Sequence, residues 1–523
     1  MSSIKKRFVF SVGANIARAA VSLIVGLLVA RGLGPADYGN LAYLLGSFWA
    51  IRALLDMGMS SAFYTFIAQR ARSRRYYLVY FGWLAFQFVF SVTLLTLLLP
   101  SSVVEHFWLG QERKLILLAL FANFLQNQVW QTVVQIHEAG RKTIRLQIVS
   151  LSIIVVHLLL VIIMLSSQWL SVQAVLWAIV GEYLVAATCL LVSLRKQEVA
   201  LLHPVSFVDE ESIKSVFLSY IHYCRPMVVI AIFSFCYEMV DRWLLQRFGG
   251  ASQQGFYQVA SQLSTISLLA TSSILNIFWK EIAEANARGE RDRVAKLYLK
   301  TTQMLVFLAS FVSCFLVPWA EQLVDILLGS AYHEAWPVLL LMLFYPIHQA
   351  VGQINGTLFM ATGRNTAYMK ITVAGLLASI PFSYALMVPE TGYWLPGLDL
   401  GAMGLSIKIV GLNLLLVSIQ SFMIARHYGI NTQWDRQAFV IMSLLVIGYG
   451  CRLTVDQLFS VIYLQNDKSM GPEVLAEFVA SGAVYLGCVL ALLIHIPELA
   501  GMDKVEMAAL KKKLSIFLYR GNA

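Results

Sequence analysis

Residues 8–30 read FVFSVGANIARAAVSLIVGLLVA. An α-helix needs roughly 20 consecutive apolar residues to cross the hydrocarbon core of a bilayer, at about 1.5 Å of rise per residue. This stretch is long enough, and Arg18 is its one charged side chain. Lys5, Lys6 and Arg7 precede it as basic residues precede a secretory signal. The apolar run nevertheless continues to Ala30, too long for a signal core and without a clear small-residue cleavage site. It reads as a first membrane helix.

Runs of the same kind recur at 37–59, 77–100, 114–136, 144–165, 169–194, 216–246, 253–279, 299–320, 336–361, 367–388, 400–425, 437–458 and 474–496, fourteen in all. Across the 523 residues 59% are hydrophobic and only 13% charged, with a mean hydropathy of +0.70. A soluble chain would carry about a quarter charged residues. The deficit makes lipid the solvent for most of this surface, and the expected fold class is all-α integral membrane.

The net charge of +10 is topological. With the N-terminus in the cytoplasm, basic residues gather on alternate loops: Lys5–Arg7, Arg70–Arg75, Arg141–Arg145, Arg195–Lys214, Lys280–Lys300, Arg364–Lys370, Arg426–Arg436 and Lys504–Arg520. The opposite loops hold only Arg31, Arg113, Lys114, Arg247 and Lys468. This is the positive-inside pattern, with both termini cytoplasmic, and nucleic acid is not needed to explain the charge. The six cysteines form no CxxC or metal-like spacing and read as small packing residues. Trp108, Trp169, Trp243, Trp319, Trp394 and Trp434 stand at span ends, as an interfacial belt requires.

The polar interval RKQEVALLHPVSFVDEESIKS (195–215) separates six spans from eight. The expected organisation is a six-helix lobe at 1–195, a cytoplasmic linker at 196–215 and a second six-helix lobe at 216–430. Two additional membrane helices are expected at 431–500, and a basic cytoplasmic tail at 501–523. An internal echo supports a parallel repeat: ARGLGPADYGNLA (30–42) and QRFGGASQQGFYQVA (246–260) both place an Arg, glycines and then a Gly/aromatic pair between two apolar helices.

An ionisable group at mid-membrane costs at least about 2.5–3.5 kcal/mol and so faces a cavity or a partner. Arg18, Arg52, Asp56, Glu182, Arg225, Glu238, Asp241, Arg242, Lys408 and Arg452 all fall inside spans. Guanidinium groups suit phosphate oxygens, so Arg18, Arg52, Arg225, Arg242 and Lys408 are candidate anion ligands of a hydrophilic cavity. Glu182, Asp56, Glu238 and Asp241 are candidate carriers of a coupling H⁺ or Na⁺. Local pairing competes with this reading for Arg52 with Asp56 and for Glu238 with Arg242, both at i,i+4 spacing. Arg18 and Glu182 have no partner at helical spacing. Polar stripes at Asn123, Asn127, Gln131 and Gln135, and at Gln258, Gln262, Thr265, Ser272 and Asn276, line a cavity or hydrogen-bond between helices. Asn127, Gln131 and Gln262 join the candidate substrate contacts.

There is no Walker loop, HExxH, GxSxG or DxD motif, so neither an enzyme nor an ATP-driven pump is expected, and no metal or cofactor beyond a coupling ion. A membrane polymerase would need a long loop outside the membrane. The outside intervals 101–113, 321–335, 389–399 and 459–473 are short, and their only cluster is Glu321, Asp325, His333 and Glu334.

Three segments carry a family resemblance: LGPADYGNLAYLLGSFWAIRALLDMGMSSAFYTFIA (33–68), DRWLLQRFGGASQQGFYQVASQLS (241–264) and LLGSAYHEAWPVLLLMLFYPIHQAVGQINGTLFMATGRN (327–365). In that order they resemble the bacterial polysaccharide flippases of the multidrug/oligosaccharidyl-lipid/polysaccharide exporter superfamily. The resemblance implies two six-helix lobes in a V and alternating access. The implied cargo is an undecaprenyl-diphosphate-linked oligosaccharide, carried across the bacterial inner membrane for O-antigen, capsule or exopolysaccharide assembly. It also implies that lumenal cations, here Arg18 and Arg52, grip the diphosphate, and that a polymerase or glycosyltransferases are partners. A cation-coupled drug exporter and a peptidoglycan-precursor flippase share the fold, which does not choose among them.

Overall fold

The computed structural model describes residues 2–69, 72–140, 142–195, 212–391, 395–462 and 472–502. Most of the expected linker at 196–215 and of the basic tail lies outside them. Among the described residues the regular elements are helices throughout. The first are α1 (Ser2–Asp56), α2 (Met59–Gln69), α3 (Arg74–Thr93), α4 (Arg113–Phe124), α5 (Trp130–Ala139), α6 (Thr143–Ser166), α7 (Val172–Arg195), α8 (Ile213–Leu244) and α9 (Gly250–Ser264). Beyond these come α10 (Ile266–Ala287), α11 (Arg291–Leu316), α12 (Ala320–Leu328), α13 (Tyr345–Ala361), α14 (Asn365–Met387), α15 (Gly401–Tyr428), α16 (Trp434–Ile462) and α17 (Pro472–His495).

Nine stretches of helix among the described residues are long and apolar enough to cross a membrane, or up to eleven if each of two bent pairs is one span. Their apolar side chains are not hidden within the protein. On α6 the residues Val155, Val156, Leu159, Ile162 and Ile163 are all exposed. A contiguous apolar surface of this kind is stable only against lipid. The chain is a multi-pass membrane protein.

The first two expected spans lie within α1, which breaks at Gly34 (φ 75°, ψ 169°), with Pro35 next. That conformation is open to glycine alone, and proline cannot continue the preceding helix. Gly250, between α8 and α9, repeats it (φ 83°, ψ 176°). The two turns of the sequence echo therefore share one backbone geometry, and they also meet. A Cβ on Gly39 would lie 1.8 Å from the carbonyl oxygen of Ala251, and one on Gly255 would lie 2.2 Å from that of Pro35. Position 35 is to 39 as 251 is to 255, so the contact is the same read from either side. Gln246 Nε2 adds a hydrogen bond to Asn40 Oδ1 at 3.0 Å.

The described residues form two compact units, Met1–Gln258 with Leu376–Leu405, and Val259–Gly375 with Ser406–Ala523. In the first, Phe63 stacks on Tyr80 at 4.0 Å within a buried cluster that includes Tyr76, Leu84, Tyr220 and Cys224. In the second, α11 lies at the centre, burying Leu305 and Ala309 among Ile347, Ile354, Leu444 and Tyr485. All six cysteines are free thiols.

Gly39→Ala is expected to lower the thermal unfolding temperature of the purified protein sharply, since overpacking against backbone costs about 1–3 kcal/mol or more. Gly411 has nothing within 4 Å of a built Cβ, so Gly411→Ala is expected to be neutral or slightly stabilising under the same melting measurement.

Candidate functional site

Asp56 ends α1 and is buried at 8% exposure. Its Oδ1 accepts the hydroxyl of Ser60 at 2.5 Å and the Ser60 backbone N–H at 3.2 Å, so the carboxylate also fastens the start of α2. From Ser60 a chain of hydroxyls runs inward. Ser60 Oγ is 3.1 Å from Tyr80 OH, which is 3.2 Å from Thr132 Oγ1, and Thr132 donates to the Gln128 carbonyl oxygen at 2.8 Å. Gln128 Nε2 donates to Gln87 Oε1 at 3.0 Å, and Gln87 Nε2 donates to the Leu55 carbonyl oxygen at 3.1 Å. The circuit closes one residue from its start.

Arg52 stands one turn before Asp56. No direct ion pair joins Arg52 to Asp56 among the described residues, although the two lie within electrostatic reach, and the guanidinium lies over the Trp49 ring at 4.9 Å. It borders a small cavity of about 20 Å³, room for one water-sized molecule, with Gln87, Ser91, Asn123 and Gln128. Arg52 Nε and Gln128 Oε1 are buried there without a hydrogen-bond partner among the described residues.

The stripe Asn123, Asn127, Gln131, Gln135 does not form one face. A π-helical turn at Leu125–Val129 inserts a residue between α4 and α5 and rotates α5 relative to α4. Asn123 is buried and donates to the Leu45 carbonyl oxygen, Asn127 is half-buried, and Gln131 is exposed. Gln128, outside the stripe, is the amide that points inward. The second stripe breaks at Thr265, between α9 and α10. Gln262 is half-buried, and the side chains of Ser272 and Asn276 lie outside the described residues.

Glu182 has a partner the sequence did not offer. His157, on α6, places Nδ1 2.9 Å from Glu182 Oε1, and the Glu182 side chain is only 4% exposed. Arg18 is half-buried, bonds Asn15 Oδ1 at 2.9 Å, and lies within electrostatic reach of Glu138 and Tyr183. On α8, Arg225 is exposed. Asp241 is buried and accepts the Ser383 hydroxyl at 2.5 Å. Glu238 and Arg242 make no direct ion pair among the described residues but lie within electrostatic reach of each other. Glu238 Oε2 is buried without a partner among the described residues, and the Arg242 guanidinium fills the space beside Gly46. Lys408 is buried on α15. The first unit thus collects Arg18, Arg52, Asp56, Asn127, Gln131, Glu182, Arg225, Glu238, Asp241 and Arg242, and the second holds Gln262 and Lys408. At the turn after α12, His333 Nδ1 bonds Asp325 Oδ1 at 3.0 Å, and with Glu321 it brings ligand atoms within 4.8 Å of one another at an exposed position.

A family model described as "Polysaccharide biosynthesis protein" matches residues 28–337. No curated protein matches the sequence. Among solved structures, the chain is similar to the lipid II flippase MurJ in an inward closed conformation, at 13% identity and TM-score 0.67, over 94% of this chain and 99% of that one. It is similar to an inward-facing multidrug resistance MATE family transporter of the MOP superfamily, at 14% identity and TM-score 0.58, over 79% and 94% of the two chains. A MOP superfamily transporter from Pyrococcus furiosus aligns at 14% identity and TM-score 0.53, over 80% and 94%. At these identities the likeness is one of fold, shared with a lipid II flippase and with MATE and MOP superfamily transporters.

His157→Leu is expected to destabilise the protein by about 3 kcal/mol, because it strands the Glu182 carboxylate in a buried position. The double variant His157→Leu/Glu182→Leu should recover most of that loss. Denaturant unfolding in mixed micelles checks it; additive effects of the two substitutions would show that the pair is not coupled.

Proposed function

Since the chain belongs to the family of polysaccharide biosynthesis proteins, we propose that it flips undecaprenyl-diphosphate-linked oligosaccharide repeat units from the cytoplasmic to the periplasmic leaflet for surface polysaccharide assembly. Alternating access of two lobes is the mechanism, in the bacterial inner membrane with both termini cytoplasmic. The observation that carries the reading is family membership in a chain with a transporter's fold. A member of a glycan-building family that is built largely of membrane helices is suited to moving the glycan. The basic loops at 70–75, 141–145, 364–370 and 426–436 support the orientation.

Arg18 and Arg52 are the cations assigned to the diphosphate. A guanidinium binds phosphate oxygens in a fixed fork. The net-basic set within the spans speaks against a cationic drug as cargo.

Protons are the favoured coupling ion, and Asp56 their carrier, by a count of hydrogens. With the carboxylate ionised, Ser60 donates to Asp56 and Thr132 donates to the Gln128 carbonyl oxygen. Tyr80 then has one hydrogen for two oxygen contacts. With the carboxyl protonated, each contact from Asp56 through Ser60, Tyr80 and Thr132 carries one hydrogen. The other titratable groups facing Asp56 are Arg52 and, from α8, Cys224. Asp241, held by Ser383, is the second candidate.

Proteoliposomes test this with a fluorescent undecaprenyl-diphosphate oligosaccharide whose headgroup is scored by an impermeant reagent. Wild type should transport and be accelerated by a pH gradient. Arg52→Ala should lose about tenfold or more. Asp56→Asn, which keeps the shape of the protonated acid, should transport without responding to the gradient. A wild type indifferent to pH gradients, or an Arg18→Ala/Arg52→Ala variant as fast as wild type, would sink the assignment.

A further inference from the structure

The second unit contains a polar cavity that the cationic residues do not touch. It has a volume of about 490 Å³, within the range of small-ligand sites, and lies among α13, α14 and α15. Its polar side chains are amides and hydroxyls: Gln349, Gln353 and Thr357 from α13, Tyr368 and Thr372 from α14, Asn413 and Gln420 from α15. Among the described residues no carboxylate, ammonium or guanidinium lines it.

Glycines make the room. Gly352 and Gly356, one turn apart on α13, alternate with Gln349 and Gln353. A Cβ on Gly352 would come within 3.0 Å of Val417 Cγ2, and one on Gly356 within 3.3 Å of Tyr368 OH. The helices approach closely at these points, and the glutamines reach past them into the cavity.

The hydrogen bonding is left half made. Asn413 Nδ2 and Gln420 Oε1 are both buried without a partner among the described residues, and Gln420 is more than nine-tenths buried. They stand seven residues apart on α15, two turns along one face. One is a donor and the other an acceptor. Thr372 donates to the Tyr368 carbonyl oxygen at 2.9 Å, which leaves its oxygen free to accept a second hydrogen bond. Tyr368 is steadied by Phe359, with ring centres 5.9 Å apart. Orphaned amide groups inside a membrane protein are costly unless a ligand or water answers them.

We propose that this cavity is a recognition site for an uncharged sugar of the transported headgroup. A hydroxyl group both donates and accepts, which matches alternating amide oxygens and nitrogens, and a phenol ring offers an apolar face to the C–H side of a pyranose. A uronic acid or an amine would enter with a charge that nothing here neutralises. The inference rests on the flippase reading and adds to it a site in the second unit where amides read the sugar.

The test is binding to the full-length protein in nanodiscs by thermophoresis, with two probes: undecaprenyl diphosphate, and the same lipid carrying one N-acetylglucosamine. Wild type should bind the sugar-bearing probe about tenfold or more tightly than the bare one. Asn413→Leu and Gln420→Leu should each remove that difference and leave the Kd of the bare probe unchanged. Should the leucine variants fail to fold, Thr372→Val, of the same shape, should reduce the difference in the same direction. Variants that keep the preference, or lose both probes equally, overturn the site. A wild type that binds both probes alike overturns the site but leaves the flippase reading standing. A wild type that binds neither overturns the flippase reading, and this inference with it.

Discussion

Hydrocarbon offers no hydrogen bonds, and that single deficiency governs where the polar side chains of this protein stand. Each polar group carried into the membrane must be answered from within the chain. The Asp56 carboxyl, the hydroxyls of Ser60, Tyr80 and Thr132, and the amides of Gln128 and Gln87 answer one another in a circuit returning to the Leu55 carbonyl oxygen. Tyr298 and Asn355 do the same at 2.8 Å, and Asn355 passes on to Ser421 at 3.0 Å. Two of the atoms left unanswered among the described residues, Arg52 Nε and Gln420 Oε1, belong to side chains that line cavities.

Much of the fold was legible because membrane insertion reads composition over some twenty residues, a signal that survives local detail. The glycine turns at 34 and 250 were legible too, since their echo in sequence is an echo in backbone conformation. The site was harder. A four-residue polar spacing pointed to Gln131, but one extra residue in the π-helical turn gave the inward position to Gln128. Glu182 looked solitary because its partner, His157, lies 25 residues away on another helix. Spacing rules see along one helix and not across to the next. The amides of the second-unit cavity escaped for the same reason, being divided between two helices with two on each.

The i,i+4 charge pairs interact without closing into direct ion pairs among the described residues. Arg52 and Asp56 are spaced to meet, yet an arginine beside a tryptophan has an aromatic face to lie on, and an aspartate at a helix end has the next helix's Ser60 to bind. Geometry at the helix terminus outweighed attraction along it. Arg242 stays within electrostatic reach of Glu238 while its guanidinium lies beside Gly46, where the missing side chain leaves space for it.

The crossing of Gly39 and Gly255 bears on inheritance. Each glycine is opposed by a carbonyl oxygen rather than a side chain, that of Ala251 in one case and Pro35 in the other. Every amino acid brings that oxygen, so no replacement at 251 could relieve a bulky residue at 39, and none at 35 could relieve one at 255. Allele-specific suppressors, the usual trace of two residues in contact, are therefore excluded at this crossing. A revertant would have to shift a whole helix, through changes elsewhere along its length.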